Sequence, residues 1–200
     1  MNFNNTDHNI RHIGGRSIIV LMYKKKTIVI NMFAGPGAGK STQAALLFAK
    51  LKILGFNVEL VTEYPKDKVW EESFKVFENQ IYLFAKQHHR MWRCHDKVDI
   101  IITDSPLIQY LAYSAHMSDS FKSLVIEEFN QYNNLNVFLQ RNPDVEFQQI
   151  GRNHNLEQAE AIDQTVIELI TKNSTSIFRI PVGDNTVTNI IEEMKNLRLI

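Results

Sequence analysis

Hydrophobic positions along the chain alternate between short β-branched runs and longer stretches with a helical period. The short runs predict strands over residues 27–33, 56–62, 98–104, 135–140 and 176–182. The longer stretches predict helices over residues 40–53, 67–76, 77–95, 107–115, 119–131, 156–172 and 186–197. Apolar strands that alternate with helices are typical of a parallel sheet covered on both faces. The pattern therefore predicts an α/β fold whose ligand binds at the carboxyl ends of the strands.

The beginning of the chain does not share this pattern. Residues 1–16 are polar, rich in Asn and His, and show no period. Met22 is followed by Tyr23, three lysines and the first predicted strand, as at a natural protein start. We therefore expect residues 1–21 to be a disordered or loosely attached tail that the domain does not need. Residues 22–200 are expected to form one domain.

Composition narrows the classes of function. Lys plus Arg and Asp plus Glu number 22 each, so no overall field attracts nucleic acid, and such binding would need a local patch. The single cysteine, Cys94, excludes an internal disulfide and suits a reducing, cytoplasmic environment. No apolar run approaches the ~20 residues of a membrane span, so no membrane role is expected.

A Walker A pattern with Ala in place of its first Gly occupies residues 34–42, between the first predicted strand and its helix. That context is the one the motif requires, because glycines let the backbone wrap a phosphate and the helix N-terminus attracts it. Lys40 is expected to reach the β- and γ-phosphates of ATP, and the Ser41 hydroxyl to ligate Mg²⁺. Thr42, one place past the metal position, is expected to pack or cap. The predicted nucleotide-binding residues are Gly35, Pro36, Gly37, Ala38, Gly39, Lys40, Ser41 and Thr42.

Carboxylates end two further predicted strands. Asp104 follows apolar residues in a Walker B pattern and is expected to hold Mg²⁺, although an aspartate there could also cap a turn. Glu63 ends the second strand, where it could orient or deprotonate an acceptor hydroxyl. Asp67 is a second candidate base, with helix capping as its alternative role, and Asp104 is a third.

The helix predicted over residues 77–95 has an unusual face. Gln80, Phe84, Gln87 and either Arg90 or Met91 recur at helical spacing. Amides beside an aromatic ring suit a planar heterocycle, because the ring stacks on its face while an amide pairs with its edge. The alternative is that the apolar members pack in the core while the amides are solvated.

The polar stretch at residues 141–155, which contains Pro and Gly, is expected to form a mobile lid. Arg141 and Arg152 bracket it and could stabilise the transferring phosphoryl group. The alternative is that both are surface arginines on a loop.

Together these motifs resemble those of the small P-loop kinases, a group that includes nucleoside and nucleotide kinases and the nicotinamide riboside kinases. The chain is most similar to phage-borne P-loop kinase-like proteins, and the resemblance covers residues 27–197. Its matching pieces are residues 33–42, residues 61–64, Asn79 with Gln80, Gln87 and Arg90, residues 102–106, and Gly151 with Arg152.

The resemblance implies a three-layer fold with a five-stranded parallel sheet in the order 2-3-1-4-5. It also implies ATP with Mg²⁺ and phosphorylation of a hydroxyl or phosphate acceptor. The candidate acceptor-binding residues, taken from the motifs and the helix face together, are Glu63, Tyr64, Asp67, Gln80, Phe84, Gln87 and Arg90. A homodimer, and the host cytoplasm for a phage-encoded protein, are compatible with it. Two departures are Pro65, which restricts Tyr64 to extended conformations, and the absence of the strand-three Glu-Arg-Ser motif of deoxynucleoside kinases.

Three functions remain open from the sequence. The first is an ATP-dependent kinase of a nucleoside, nucleotide or similar small acceptor. The second is a kinase of a hydroxymethylated pyrimidine (5-hydroxymethyluracil) within DNA, which a basic face at residues 86–97 would hold. The third is a nucleotide-dependent switch ATPase without a small acceptor.

Overall fold

The strands and helices follow the predicted alternation. The computed structural model describes residues 7–13, 16–22, 27–114, 116–145, 147, 155–173 and 176–200, with side chains from residue 27 onward. The strands are β1 (Asp7–Ile13), β2 (Arg16–Met22), β3 (Ile28–Phe33), β4 (Val58–Val61), β5 (Ile100–Thr103), β6 (Asn133–Gln140) and β7 (Phe178–Pro181). The helices are α1 (Lys40–Ile53), α2 (Tyr64–Trp70), α3 (Gln80–Trp92), α4 (Asp119–Asn130), α5 (Leu156–Asn173) and α6 (Thr186–Asn196), and Phe74–Glu78 and Leu107–Tyr113 are 3-10 helices.

Five parallel strands form the central sheet in the order β4-β5-β3-β6-β7. When these five strands alone are numbered 1 to 5 along the chain, the order is 2-3-1-4-5, which confirms the predicted order. The central strand β3 is buried at all six positions, because it is paired on both edges and covered on both faces. The carboxyl end of β3 therefore lies between the carboxyl ends of β5 and β6, at the edge of the sheet where parallel α/β proteins bind ligands.

Two apolar layers cover the sheet. Alternate residues of β3 point to opposite faces, so that Val29 and Phe33 join one core while Ile28, Ile30 and Met32 join the other. The first core includes residues of α3, α4 and α5, and the second includes residues of α1 and α6. The predicted three-layer α/β arrangement is confirmed.

The segment after β4 differs from the prediction of one helix over residues 67–76. Helix α2 begins at Tyr64 and ends at Trp70, with Pro65 in its first turn, where a missing N–H costs no helical hydrogen bond. Tyr64 is therefore helical rather than extended as expected from Pro65, and the extended residue is Glu63 before it. Glu72 then takes a positive φ of 54°, and the chain continues as a 3-10 helix. Among the helices that the structure describes, none is long and apolar enough to span a membrane.

The two N-terminal strands form their own antiparallel sheet, in which Asp7 pairs with Met22 and Ile13 with Arg16. The apolar and β-branched residues of β2 favour this strand, which the polar composition of residues 1–16 did not indicate. Neither strand belongs to the five-stranded sheet. The loose attachment and dispensability of residues 1–21 stay a prediction.

Two adjacent leucines of α1 test how this helix, which follows the phosphate loop, packs in the second core. Leu47 is 0% exposed, while Leu46 is 53% exposed. We expect Leu47→Ala to lower the free energy of unfolding by about 2–5 kcal/mol, because it removes buried apolar contacts and leaves a cavity. Leu46→Ala is the matched control and should change it by less than about 0.5 kcal/mol. Equal effects in urea unfolding would contradict this packing.

Candidate active site at the phosphate loop

A tight loop joins the end of β3 to the start of α1. Gly37 and Gly39 in this loop have φ angles of 81° and 89°, which residues other than glycine adopt only with strain. Gly39 is the N-cap of α1, and neither a side-chain cap nor an acidic residue satisfies the first turn. The free N–H groups and the positive end of the helix dipole therefore face the loop, as an anion site requires.

Lys40 folds back along the inside of this loop. Its ammonium group donates hydrogen bonds to the carbonyl oxygens of Ala34 (2.7 Å) and Gly35 (3.0 Å). The Gln109 side chain donates to the same Ala34 oxygen (3.1 Å). Because an ammonium carries three donors, the two carbonyl contacts leave Lys40 able to donate to a phosphate.

One cavity of about 670 Å³ runs from the phosphate loop to the ends of β4 and β5. It brings together many of the residues that the sequence predicted, including Lys40, Ser41, Glu63, Gln80 and Asp104. The full lining is Pro36, Gly37, Gly39, Lys40, Ser41, Thr42, Glu63, Pro65, Lys66, Val69, Trp70, Phe77, Gln80, Leu83, Asp104, Ser105, Gln109, Tyr110 and Tyr113.

The environment of Asp104 fits a divalent cation. Its side chain is 4% exposed, and one carboxylate oxygen has no hydrogen-bond partner among the described residues. A buried carboxylate oxygen without a partner is costly, and a cation beside it offsets that cost. Ser41 lines the same cavity. Carboxylate and hydroxyl oxygens, with phosphate oxygens from a substrate, are the ligands that Mg²⁺ prefers.

Burial shifts the pKa values of two charged side chains in the cavity, Lys40 and Glu63, in opposite directions. Burial lowers the pKa of Lys40 from its ordinary 10.5, although Glu63, Asp104 and Asp163 oppose this effect by attraction. Burial raises the pKa of Glu63 from its ordinary 4.5, and the attraction of Lys40 opposes it. A carboxylate whose pKa is raised is better matched to accepting a proton near neutral pH.

Other predicted acceptor residues lie behind the cavity wall and support it. The Gln87 amide oxygen accepts from the Tyr64 N–H (2.9 Å), and its nitrogen donates to the Thr62 carbonyl (3.3 Å). Arg90 donates to the same carbonyl (3.2 Å) and pairs with Asp67. These contacts fix the chain on both sides of Glu63.

Phe84 is also not among the described residues that line the cavity. It is 5% exposed and packs edge-on against Tyr110 and Phe121. Of the helix face predicted to hold a heterocycle, Gln80 is the member that reaches the cavity. Its amide nitrogen donates to the Phe77 carbonyl (2.8 Å), which holds the amide group in place at the wall.

The two predicted arginines have different outcomes. Arg141 pairs with Asp163 on α5 and is not among the described residues that line the cavity. Arg152 and most of the lid predicted over residues 141–155 lie outside the described residues. The direct action of either arginine on the phosphoryl group stays a prediction.

Several lining residues were missed from the sequence. Trp70, Phe77, Tyr110 and Tyr113 give the cavity an aromatic wall. Their only signal is that aromatic residues follow the second and third predicted strands closely. The pattern does not show which of them turn toward the strand ends, because this depends on how α2 and the two 3-10 helices are placed.

Comparisons with known proteins identify a family and a fold for this chain. The family profile described as an AAA domain matches residues 29–186 of the chain. No curated protein sequence shows significant similarity to it. The thymidylate kinase structure from Ehrlichia chaffeensis superposes with a TM-score of 0.56 and 17% identity, covering 86% of this chain and 98% of that one. The deoxyadenosine kinase structure from M. mycoides gives a TM-score of 0.49 and 21% identity, covering 86% of this chain and 100% of that one.

The similarity to the thymidylate kinase structure shows the fold alone, and the family profile covers most of the chain and includes the phosphate loop. The chain therefore belongs to the AAA domain family and shares its fold with that thymidylate kinase structure.

Proposed function

We propose that the protein transfers the γ-phosphoryl group of ATP to the hydroxyl group of a small, neutral, nucleoside-like acceptor. The observation that carries the proposal is one cavity in which the phosphate loop, the half-buried Glu63, the buried Asp104 and an aromatic wall meet. Phosphoryl transfer needs two substrates in line and water excluded, and a continuous cavity of this kind can provide both.

In the proposed reaction the acceptor oxygen attacks the γ-phosphorus. A bond forms between them, the bond from the γ-phosphorus to the bridging oxygen breaks, and ADP leaves. Glu63 accepts the proton of the acceptor hydroxyl, as a base whose pKa burial has raised. Lys40 and the N–H groups at the start of α1 stabilise the negative charge on the phosphate oxygens.

Ser41 and Asp104 are the residues that would hold Mg²⁺. The cation would neutralise part of the charge on the ATP phosphates. The unpartnered, buried oxygen of Asp104 supports this assignment.

The charges around the acceptor favour a neutral molecule over a nucleoside monophosphate. Glu63 and Asp104 are the carboxylates of the cavity, while Lys40 and Lys66 are the cations among its described lining residues. Lys40 is committed to ATP, and Arg90 to Asp67 and the Thr62 carbonyl. With Asp104 given to Mg²⁺, an acceptor phosphate would still meet the Glu63 carboxylate and the ATP phosphates, with Lys66 left among the described lining residues to offset them.

The aromatic wall favours a planar ring in the acceptor. Trp70, Phe77 and the two tyrosines contribute aromatic rings to the lining, and a heterocycle can stack on such rings. Gln80 adds an amide group that is fixed in orientation and can pair with the edge of such a ring. An acceptor base within DNA would first have to leave its helix to enter this cavity.

Removal of the Lys40 ammonium tests the transfer chemistry. We expect Lys40→Ala to lower kcat/KM by about 10²-fold or more, because the charge on the transferred group loses its main side-chain partner. Lys50→Ala, an exposed lysine on the same helix, is the matched control and should keep full activity. Near-normal turnover by Lys40→Ala in an ADP-release assay would contradict the proposal.

The pH dependence of the rate tests Glu63 as the base. We expect kcat/KM to rise with pH, with a midpoint above 4.5, because burial raises the pKa of Glu63 and only its ionised form accepts a proton. The rate should fall again with a midpoint below 10.5, where Lys40 loses its proton. Glu63→Gln should lower the rate and remove the rising limb, while the exposed control Glu78→Gln should keep it. An unchanged rising limb in Glu63→Gln would assign the base elsewhere.

A paired acceptor screen tests the choice of a neutral substrate. We expect a nucleoside-like compound to be phosphorylated at least about tenfold more efficiently than its 5′-monophosphate, because the latter adds negative charge beside Glu63 and the ATP phosphates. Product analysis with γ-labelled ATP measures both, and DNA that contains 5-hydroxymethyluracil belongs in the same panel. Preference for the monophosphate, lost in Lys66→Ala, would show that the acceptor site recognises phosphate.

A further inference from the structure

The first turn of the phosphate loop is held from outside the cavity by an ion pair. One carboxylate oxygen of Asp163 accepts the backbone N–H of Gly35, and the other accepts the Nε–H of Arg141. The Asp163 and Arg141 side chains are 15% and 17% exposed. A hydrogen bond between a backbone N–H and an ionised, mostly buried carboxylate is among the stronger kinds.

Helix α5 approaches this part of the loop very closely. The Arg141 guanidinium also donates to the Ala159 carbonyl (3.2 Å), one helical turn before Asp163. A Cβ atom at Gly35 would collide with that carbonyl oxygen and lie 2.9 Å from the guanidinium. The α5 backbone therefore packs directly on the loop backbone, and Asp163 supplies the bond that fixes their relative position.

The pair is also electrically balanced beside the phosphate-binding lysine. Asp163 attracts the Lys40 ammonium while Arg141 repels it. An aspartate alone at this position would oppose a triphosphate, and the guanidinium next to it removes most of that repulsion.

We propose that Asp163 is a positioning residue for nucleotide binding, which acts on ATP through the Gly35 N–H, and that Arg141 serves to neutralise Asp163. The inference rests on the proposed function, because it assigns a role within the same phosphate site. It gives Arg141 an indirect role, in contrast to the direct contact with the phosphoryl group expected from the sequence.

Variants of the ion pair separate the two roles of Arg141. Arg141→Gln leaves the Asp163 charge uncompensated, so the affinity for a non-hydrolysable ATP analogue with Mg²⁺ should fall. The double variant Arg141→Gln with Asp163→Asn removes that charge, so it should bind the analogue more tightly than the single variant, by about fivefold or more. The double variant should also bind the analogue with nearly the affinity of the wild type, whereas a direct contact of Arg141 with the phosphates would leave it far weaker than the wild type, because both variants lack that contact.

A second comparison, made without either charge, tests the bond to Gly35. Arg141→Gln with Asp163→Asn keeps a carbonyl oxygen for the Gly35 N–H, whereas Arg141→Gln with Asp163→Ala leaves that buried N–H without a partner. We expect the alanine version to bind the analogue about tenfold more weakly, because an unsatisfied buried donor is costly. The KM for ATP should rise in parallel, while the KM for the acceptor should not change.

The measurements are calorimetric titrations and initial rates on the full chain, with thermal unfolding to confirm that each variant folds. Glu160→Gln is the control, because it changes the charge of α5 by the same amount at an exposed position. Equal affinity of the asparagine and alanine versions, or no gain of the asparagine double variant over Arg141→Gln, would overturn the inference while leaving the proposed function in place. Absence of analogue binding by the wild-type protein would remove the proposed function and the inference together.

Discussion

The parallel alignment of the central strands is the constraint on which the site depends. Thr103 at the end of β5 is in register with Asn31 of β3 and with Val61 of β4. The residues that follow these strands are the phosphate loop, Glu63 and Asp104, and they are brought to the same edge of the sheet. An antiparallel arrangement would place one of them at the opposite edge.

At that edge of the sheet, three charged side chains line one cavity and are partly shielded from water. Lys40, Glu63 and Asp104 influence one another there, and each would be costly to bury alone. Backbone carbonyls satisfy part of the lysine, and the lysine in turn stabilises the carboxylates. Such a cluster is prearranged for a ligand that brings both negative phosphates and a cation, which is how the proposed function follows from the fold.

Much of the architecture could be predicted from the sequence, because the apolar period and the motif positions carry it. The bounds of α1 were predicted to the residue, since the glycine before it and the turn after it are local signals. The chain after β4 was predicted less well, because its conformation depends on how Pro65 and Glu72 bend it over the cavity. The hairpin of β1 and β2 was not predicted, as its polar first strand has no amphipathic pattern.

The residues of the candidate site also differ in how well the sequence predicts their positions. Lys40 and Ser41 could be located because a motif with a fixed spacing determines their positions, and Asp104 because it ends a predicted apolar strand. Gln87 and Arg90 lie on the predicted helix, but their side chains turn to the backbone near Glu63, a choice that only tertiary packing decides. Asp163 had no motif, and its contact with Gly35 spans 128 residues of sequence.

The fate of the γ-phosphoryl group tests the central claim most directly. Purified protein, Mg²⁺ and ATP labelled in that group should transfer the label to an added nucleoside-like acceptor, with one ADP formed for each phosphorylated product. Label released only as inorganic phosphate, at a slow rate that no acceptor changes, would contradict the account and indicate a nucleotide-dependent switch.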